Sequence, residues 1–461
     1  MFNHFSMIKQ TLITLPAPSC DPDRASKPSY SIHLYHLLFP TSAHRPFPVL
    51  TSNSAESKTK TLIVPDKDAD GLSSGSILRH TLMLLGLPSD MIEVHLLSKG
   101  NTIHTEEERV KMKSHNPTFV FVLDQGSRAG PPVIDGDHEA LIIDHHHAAE
   151  SDFPDKSTHV TACNSPPVAT SSLLTYLLCE QLHPGVRDKC DWLCVVGTHG
   201  DLGNTLKWES PFPDMRDCLK KYSKKTLNDV VSAVNAPRRT ATYDVKSAWD
   251  ALCDTTGPAS ILKNARLRAA REGVNDEVER CTHTAPKFSP DGKIAVFRLS
   301  SKAQVHPVIA TRWAGHLQSK TLEIVMVANE GYLDGKVNFS CRIPRCARSR
   351  EPPVDIIASL KRYASMQPLA VDENGPNEAE TQQTPLIDRL GTDFARGHVQ
   401  ASGGIVGVDE FEELMRNMQI GVKAAKKEVE ESTPKKKKGV IDSSQSNNLM
   451  NYFGKATVKP A

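Results

Sequence analysis

The stretch IVPDKDADGLSSGS (residues 63–76) joins an apolar run to three aspartates at alternate positions and a following glycine. Carboxylates at every second position are typical of a calcium-binding loop, which closes with a bidentate Glu at its twelfth position and lies between two helices. Counted from Asp66, that position is Ile77, and the preceding TLIV has the branched apolar character of a buried strand. We therefore expect Asp66, Asp68 and Asp70 to contribute to a site that they share with other parts of the chain.

Three further apolar runs of strand length follow before residue 201: TFVFVL, ALII and WLCVV. None of these runs alternates apolar with polar residues, which is the pattern of strands buried on both faces of a parallel sheet. Helical stretches such as SSGSILRHTLMLLGL and PVATSSLLTYLLCEQL separate the runs. The alternation predicts βαβ units and therefore an α/β first domain.

Side chains that bind metals follow each of these runs. TFVFVL leads to Asp124, ALII leads to Asp144, His145 and His146, and WLCVV leads to Asp201. The carboxyl ends of parallel strands lie along one edge of a sheet, so these side chains are expected to converge. Clustered carboxylates repel one another unless a cation lies between them, and carboxylates with imidazoles suit Mn²⁺ or Mg²⁺ better than zinc. Two such ions predict phosphoester hydrolysis by an activated water.

The segments DKDADG, VLDQGS, IIDHH and GTHGD, in this order, resemble the four motifs of the DHH phosphoesterase superfamily, which includes RecJ-type single-strand exonucleases. The resemblance covers about residues 61–205. It implies two Mn²⁺ or Mg²⁺ ions, Asp124 as their bridging ligand, and His146 facing a metal or the scissile phosphate. Asp124, His145 and His146 are the implied catalytic residues. The implied metal ligands are Asp66, Asp68, Asp70, Asp124, His145 and Asp201, with Asp66 and Asp144 supporting or completing the shell.

A second α/β unit is predicted by strand-like segments at KIAVFRLS, TLEIVMVAN and KVNFSCRI and by helical patterns at HPVIATRWAGHLQ and VDIIASLKRY. GKVNFSCRI resembles a strand of the C-terminal domain associated with DHH proteins, which implies that Arg342 contacts phosphate. RGHVQASGGIVGV resembles the glycine-rich loop of that domain, which implies phosphate binding by Gly397 and His398. Arg396 replaces one glycine of that loop. The basic run Arg342, Arg345, Arg348 and Arg350 either attracts a polyanionic strand or is a solvated loop.

The predicted fold is α/β, with a mainly parallel sheet in a DHH domain, a second, smaller α/β domain, and disordered N- and C-terminal tails. The expected boundaries are a disordered leader at 1–60, the DHH catalytic domain with a helical connector at 61–285, the DHH-associated substrate-binding domain at 286–418, and a basic disordered tail at 419–461. Residues after 418 leave no room for the oligonucleotide-binding barrel of bacterial RecJ-type enzymes.

Two motifs stand out in the predicted tail. KKEVEESTPKKKKGV (residues 426–440) has the spacing of a bipartite nuclear import signal. SNNLMNYF (residues 446–453) places Leu449, Tyr452 and Phe453 as a short apolar plug, which resembles the motif that docks replication proteins on the sliding clamp. Ser446 stands where that motif usually has Gln. The alternatives are a solvated lysine-rich linker and a chance aromatic pair.

The composition excludes some classes of protein. No run of 18 apolar residues is present, so no membrane partner is expected. The 10 cysteines are scattered without paired CxxC spacing, which predicts reduced intracellular thiols. The first 60 residues carry few acids, which leaves a mitochondrial transit peptide as an alternative to a disordered leader.

These observations together predict a nuclear, divalent-metal-dependent phosphodiesterase. The leading hypothesis is a RecJ-like exonuclease on single-stranded nucleic acid in DNA replication or repair, with a cytoplasmic or mitochondrial location as the alternative. A second hypothesis is a phosphoesterase of short oligonucleotides or small phosphate compounds, which the missing barrel favours. A third is a catalytically silent replication scaffold, which the retained carboxylates and histidines argue against.

Overall fold

The computed structural model describes residues 46–163, 167–366, 384–391 and 394–422. Its first sheet has five parallel strands in the order β2-β1-β3-β4-β5. The strands are β1 (Thr61–Pro65), β2 (Ile92–Val94), β3 (Phe119–Leu123), β4 (Glu139–Asp144) and β5 (Ser157–Thr161). Helices α1 (Pro46–Ser57), α2 (Ala69–Leu84), α3 (Glu106–Ser114), α4 (Ser171–Glu180) and α5 (Gly185–Leu202) accompany them.

Both faces of this sheet are covered, which explains why its central strands lack polar alternation. Ile63 and Phe121 pack on one face in a core formed with α2, α4 and α5. Leu62, Val64 and Val122 pack on the other face beneath Met112 and other residues of the loops and of α3. Every residue of β1 and β3 is buried.

The predicted fourth strand, WLCVV, is wrong. Residues 192–196 lie within helix α5, which packs against α2, α4 and α7. All five of these side chains are buried, from Trp192 to Val196, because the helix is surrounded by other helices. A helix buried on most of its sides produces the same short apolar run as a buried strand. Asp201 consequently lies in the last turn of this helix, and not after a strand.

The predicted disordered leader is wrong for residues 46–57, which form helix α1. Phe47, Leu50 and Ala55 of this helix are buried in the first core. The prolines at positions 46 and 48 and the polar stretch TSNSAES hid the helix in the sequence, although proline is tolerated in a first helical turn. Residues 1–45 of the predicted leader and all of the predicted tail after Val422 lie outside the described residues.

A helical connector leads to the second sheet, as the pattern predicted. It contains α6 (Arg216–Tyr222), α7 (Lys224–Asn235), α8 (Val245–Cys253), α9 (Pro258–Lys263) and α10 (Ala265–Cys281). A 3₁₀ turn at Pro237–Arg239 joins α7 to α8. Among the described helices, none combines the length and apolarity that a membrane span requires.

The second sheet has six strands in the order β10-β11-β9-β8-β7-β6, of which only the β7–β8 pair is parallel. Its strands are β6 (Lys287–Phe288), β7 (Ile294–Leu299), β8 (Ile324–Leu333), β9 (Lys336–Arg342), β10 (Arg396–His398) and β11 (Ala401–Gly407). Its helices are α11 (His306–His316), α12 (Ile356–Ala364), α13 (Leu386–Arg389) and α14 (Val408–Asn417). The predicted fold class, a parallel α/β sheet followed by a second α/β unit, is confirmed.

Candidate metal centre

The loops after β1 and β3 lie side by side at the carboxyl edge of the first sheet. The strand order reverses at β1, and open α/β sheets bind ligands at such a point. The Asp66 N–H donates to the Leu123 carbonyl at 2.9 Å, and the Asp124 N–H donates to the Ile143 carbonyl at 2.8 Å. These bonds place the first acids of the two loops next to each other.

Asp68 begins helix α2 as its N-cap. Its Oδ1 accepts the N–H groups of Asp70 at 3.1 Å and Gly71 at 3.2 Å, which satisfies two donors of the first turn. A Cβ on Gly71 would lie 2.6 Å from the Asp66 carbonyl oxygen, so only glycine lets the helix start this close to the strand. The DxDxDG pattern therefore serves both the turn and the cluster of acids.

The Asp70 carboxylate is buried against the start of helix α4. It accepts the N–H groups of Ser171 at 2.8 Å and Ser172 at 2.9 Å. Burial and the nearby Asp201 carboxylate raise the pKa of Asp70 to about 6, because the charged form is poorly solvated and repelled. Ser171 and Ser172 were not predicted as site residues. The only sequence signal for them is the TSS triplet that opens the helix, which reads as ordinary capping.

Asp124 occupies a left-handed conformation, with φ of +63°, at the end of β3. Asp and Asn adopt this region more readily than other residues with a side chain. Its buried carboxylate accepts the Ser171 hydroxyl at 2.9 Å. Burial and the nearby Asp70 raise the pKa of Asp124 well above its ordinary value.

One imidazole lies among three carboxylates. Nε2 of His145 is 3.1 Å from Asp201, 3.4 Å from Asp124 and 3.8 Å from the nearest Asp70 oxygen. Burial lowers the pKa of His145, but the contacts with Asp124 and Asp201 outweigh it and raise the pKa to about 12. A raised pKa means that a group holds its proton more tightly, and this applies both to the two acids and to the histidine. The site therefore strongly favours positive charge.

Asp144 orients the motif that contains the two histidines. Its carboxylate accepts the N–H groups of His145, His146 and Ser127 and contacts Nδ1 of His146 at 2.8 Å. Burial raises the pKa of Asp144, but His146 and these hydrogen bonds outweigh it and hold the pKa well below its ordinary value. An Nδ1–H donated to this carboxylate leaves Nε2 of His146 as the atom for a metal or a phosphate.

Three overlapping groups of potential ligand atoms exist here, each with its atoms within 4.8 Å of one another. Asp124 and His145 each belong to two of the groups. The groups are Asp66, Asp68 and Asp124; Asp70, His145 and Asp201; and Asp124, His145 and His146. All predicted metal ligands therefore come together, although Asp201 arrives from a helix. Carboxylates and imidazoles without thiolates fit Mn²⁺ or Mg²⁺, and the sharing of Asp124 fits two ions.

A cationic pocket lies near this edge, built from the connector and the second sheet. We define it as Arg238, Arg239, His306 and Arg342. Arg238 lies 3.6 Å from Asp68 and donates to Gln304 at 3.1 Å. Nε of Arg239 and Nδ1 of His306 are buried without a hydrogen-bond partner among the described residues.

The electrostatics of this pocket favour an anion. Burial and the neighbouring arginines lower the pKa of His306 to about 3, and burial and Arg238 lower that of Arg239 to about 9. Burial also lowers the pKa of Arg342, whose Nη1 donates to the Ser340 hydroxyl and the Cys341 carbonyl, each at 2.8 Å. Arg238, Arg239 and His306 were not predicted as site residues, because isolated basic residues in a helical connector give no specific signal.

The other predicted phosphate contacts lie on neighbouring strands. β10 pairs His398 with Ala401 of β11, and β9 pairs Arg342 with the same Ala401. Gly397 has φ of +103°, a conformation that favours glycine. The His398 side chain and the predicted clamp-binding residues Leu449, Tyr452 and Phe453 lie outside what the structure describes. Arg350 donates hydrogen bonds to the carbonyls of Thr321 and Lys320, so its side chain holds the local structure together.

Comparison with known proteins agrees with this geometry. Residues 60–198 match the sequence model of the DHH family, N-terminal domain. RecJ from Thermus thermophilus, solved in complex with Mn²⁺, aligns with a TM-score of 0.56 and 18% identity over 83% of this chain and 55% of that one. The chain therefore spans about half of that RecJ. Among curated protein sequences, none matches the chain.

Two further solved structures are also similar. Exonuclease RecJ bound to manganese aligns with a TM-score of 0.51 and 18% identity, over 83% of this chain and 94% of that one. The DHH domain of a member of a ribosomal protein family aligns with a TM-score of 0.58 and 13% identity, over 83% of this chain and 92% of that one. Residues 60–198 thus match the N-terminal domain of the DHH family, the described fold is similar to that of RecJ, and the convergent aspartates and histidines offer the ligand atoms that divalent metal ions require.

Proposed function

We propose that this protein is a metal-dependent phosphodiesterase that removes nucleotides from the end of single-stranded nucleic acid. The observation that carries the proposal is the juxtaposition of two oppositely charged sites. A cluster of carboxylates, of which Asp70 and Asp124 are buried, favours cations, and the cationic pocket beside it favours an anion. A phosphodiester chain needs both, because one phosphate reacts at the metals while a neighbouring phosphate is held in place.

The reaction would depend on positions that the protein fixes in advance. Asp66, Asp68, Asp70, Asp124, His145 and Asp201 would hold two Mn²⁺ or Mg²⁺ ions, which when bound supply a water of lowered pKa and neutralise the scissile phosphate. Asp124 would bridge the ions, held by the Ser171 hydroxyl. Asp144 would keep Nδ1 of His146 engaged, so that Nε2 of His146 faces the metal or the phosphate.

The cationic pocket would position the substrate. Arg342 carries two donors that are fixed by Ser340 and Cys341, and its remaining guanidinium N–H groups suit a phosphate. His306 stays neutral at physiological pH, because burial and the arginines lower its pKa, and it can donate a hydrogen bond without adding charge. Gly397 and His398, on a strand two removed from Arg342, would add to the phosphate contacts, as the glycine-rich loop suggested.

A second candidate function is the hydrolysis of short oligonucleotides or small phosphate compounds. The described residues form two sheets and a helical connector, and no barrel that would hold a long strand is found among them. A silent scaffold is the weakest alternative, since Asp70 and Asp124 are buried side by side at considerable electrostatic cost.

An activity panel tests these alternatives. Purified full-length protein with Mn²⁺ is incubated with end-labelled single strands, dinucleotides and polyphosphate, and the products are separated by length. We expect mononucleotides to be released from single strands. Cleavage of dinucleotides alone would replace the exonuclease proposal by the second candidate. If none of the three substrates is hydrolysed although Mn²⁺ still binds, the silent scaffold is the remaining hypothesis.

We further propose that the protein acts in the nucleus, in DNA replication or repair, where the sliding clamp recruits it. The support is the sequence of residues 426–453, which carries the import-like lysines and the apolar plug Leu449, Tyr452 and Phe453. Tyr452→Ala with Phe453→Ala should abolish capture of the full chain by immobilised clamp, whereas Asn447→Ala with Asn448→Ala in the same segment should not. Equal capture of both variants would reject the plug, and unchanged nuclear accumulation of a Lys435–Lys438 glutamine variant would reject the import signal.

A further inference from the structure

A turn rich in lysine joins helices α6 and α7. We define the lysine turn as residues 220–225, KKYSKK, in which Lys220, Lys221, Lys224 and Lys225 are all exposed. Only Lys225 has a carboxylate partner among the described residues, Asp229 at 3.0 Å, and Asp229 is shared with Arg271. The other three ammonium groups add positive charge to one small area of the surface.

The placement of these lysines costs helix stability. Lys220 and Lys221 lie in the last turn of α6, where cations are favourable, but Lys224 and Lys225 open α7, where they face the positive end of the helix dipole. Each such cation disfavours the helix. Ser223 caps α7 in a left-handed conformation, with φ of +64°, and brings the two pairs together around one turn. An anionic partner would relieve this repulsion.

The lysine turn lies close to the helix end that supplies Asp201. Asn228, one helical turn after Lys224, accepts from Nδ1 of His199 at 3.0 Å, and His199 is two residues before Asp201 in α5. The surface charge and the metal centre are thus connected through one helix turn and one side chain.

Aromatic rings accompany the lysines. Tyr222 stands between the two pairs, with the Lys221 ammonium 4.8 Å from its ring centre. Trp208, in the loop that follows Asp201, donates Nε1–H to Nε2 of His199 at 3.1 Å and stands 5.9 Å from the Phe212 ring. Proteins that bind single strands without sequence preference combine basic side chains with aromatic rings of this kind.

We propose that the lysine turn binds the phosphate backbone of a single strand whose end lies in the metal centre. The inference rests on the proposed function and extends it from the reacting phosphate to the strand behind it. Lysines act as point charges, so the contacts would carry no sequence information and would weaken with salt. The surface would retain a long strand without an additional binding domain.

The test compares two triple variants of the full chain. Lys220→Gln/Lys221→Gln/Lys224→Gln removes the lysines that lack a carboxylate partner. Lys58→Gln/Lys113→Gln/Lys156→Gln removes the same charge from exposed positions near the amino ends of β1, β3 and β5, the opposite edge of the sheet. Binding of a fluorescent oligothymidine of about 20 nucleotides is followed by anisotropy in EDTA, so that no cleavage occurs, at several salt concentrations.

We expect the lysine-turn variant to bind the strand at least about tenfold more weakly, with the slope of log K against log salt reduced by about 2, since each phosphate contact to a single strand contributes about 0.7. The control variant should bind as the unmodified protein does, and dinucleotide hydrolysis with Mn²⁺ should be equal in all three. An unchanged slope, or an equal loss in the control variant, would overturn the proposal.

Two further outcomes separate this inference from the proposed function. If the lysine turn binds the strand but no substrate is hydrolysed, the proposed function is wrong, and the inference that the lysine turn binds single strands is retained. If strand binding is unchanged while binding of a polyglutamate peptide is lost, the turn serves an acidic protein segment and the proposal is wrong.

Discussion

At the scale of single residues, Asp124 connects several parts of the candidate metal centre. It belongs to two groups of ligand atoms, adopts a left-handed conformation and accepts the Ser171 hydroxyl. We predict that Asp124→Asn lowers turnover by at least about 10²–10³-fold, the effect of removing one preorganised charged or hydrogen-bonding group. The protein should remain folded, because Asn tolerates the same backbone conformation and can still accept that hydroxyl.

The measurement is single-strand hydrolysis with saturating Mn²⁺, together with urea unfolding of each variant. Asp90→Asn, an exposed carboxylate before β2, is the control and should leave both properties unchanged. Turnover of the Asp124 variant within a few-fold of the unmodified protein would remove the bridging role.

The pKa values of the acids predict how metal binding depends on pH. Burial and Asp201 raise the pKa of Asp70 to about 6, and burial and Asp70 raise that of Asp124 well above its ordinary value. Protons therefore compete with metal near pH 6, and a ligand must lose its proton before it binds. We predict that Mn²⁺ affinity falls as pH drops through about 6 and that binding releases protons. Calorimetry at pH 6 in two buffers of different ionisation enthalpy measures the release; equal apparent enthalpies would contradict it.

Some residues of the site could be predicted from the sequence and others could not, for a physical reason. Asp66, Asp68, Asp70, Asp124 and His145 stand beside apolar runs, so their chemistry and their position were both visible. Ser171 and Ser172 hold Asp70 through backbone N–H groups at the start of a helix. Such donors do not depend on the residue type, so the sequence does not reveal them. Arg238, Arg239 and His306 of the cationic pocket were missed, whereas Arg342 was predicted, because only folding brings these three residues next to β9.

At the scale of helices, α5 supplies Asp201 and packs tightly against the start of α4. A Cβ on Gly197 would lie 2.2 Å from the Ser172 hydroxyl and 2.9 Å from the Asp70 carboxylate. We predict that Gly197→Ala lowers the free energy of unfolding by about 1–3 kcal/mol, the usual cost of overpacking. Mn²⁺ affinity should fall as well, because the N–H groups that hold Asp70 must move.

Gly273→Ala is the matched control, since Gly273 lies in α10 and a Cβ there meets nothing within 4 Å. That substitution should raise the free energy of unfolding by about 0.4–1 kcal/mol, because it reduces the entropy of the unfolded chain. Urea unfolding and Mn²⁺ calorimetry decide between the two effects. A Gly197 variant that is stabilised like the control would show that the helices have room to separate.

The helix α5 also explains the limit of the sequence-based prediction at this scale. Strands β1, β3 and β4 were predicted because apolar runs in a covered parallel sheet have few other interpretations. WLCVV was misassigned because helices α2, α4 and α7 cover most of α5. Its polar face is therefore narrow, and the sequence shows no helical alternation of polar and apolar residues there. Edge strands β2 and β5 were not predicted, since they are only partly buried and β5 contains polar residues.

At the scale of the whole molecule, the connector links the metal centre to the second sheet. Arg238 reaches Asp68 on one side and Gln304 on the other, and the Gln304 N–H donates to the Arg239 carbonyl at 2.8 Å. A second contact spans the same junction: the Lys99 ammonium lies 4.0 Å from the Tyr332 ring centre and donates to the Lys302 carbonyl. The proposed substrate contact Arg342 and the candidate metal ligands thus lie in different parts of the chain, so each can be changed separately.

That separation predicts a distinct phenotype for Arg342, which lies in the second sheet and outside the groups of metal ligands. Arg342→Gln should lower kcat/KM on single strands by roughly 10–10²-fold, since a charge-assisted hydrogen bond contributes about 1.5–3 kcal/mol. Mn²⁺ affinity, measured by calorimetry, should stay unchanged. Arg348→Gln, an exposed position in the same basic run, should alter neither property. If the Arg342 variant loses Mn²⁺ affinity together with activity, the two sheets form one coupled site, and the phosphate-holding role of the second sheet has to be abandoned.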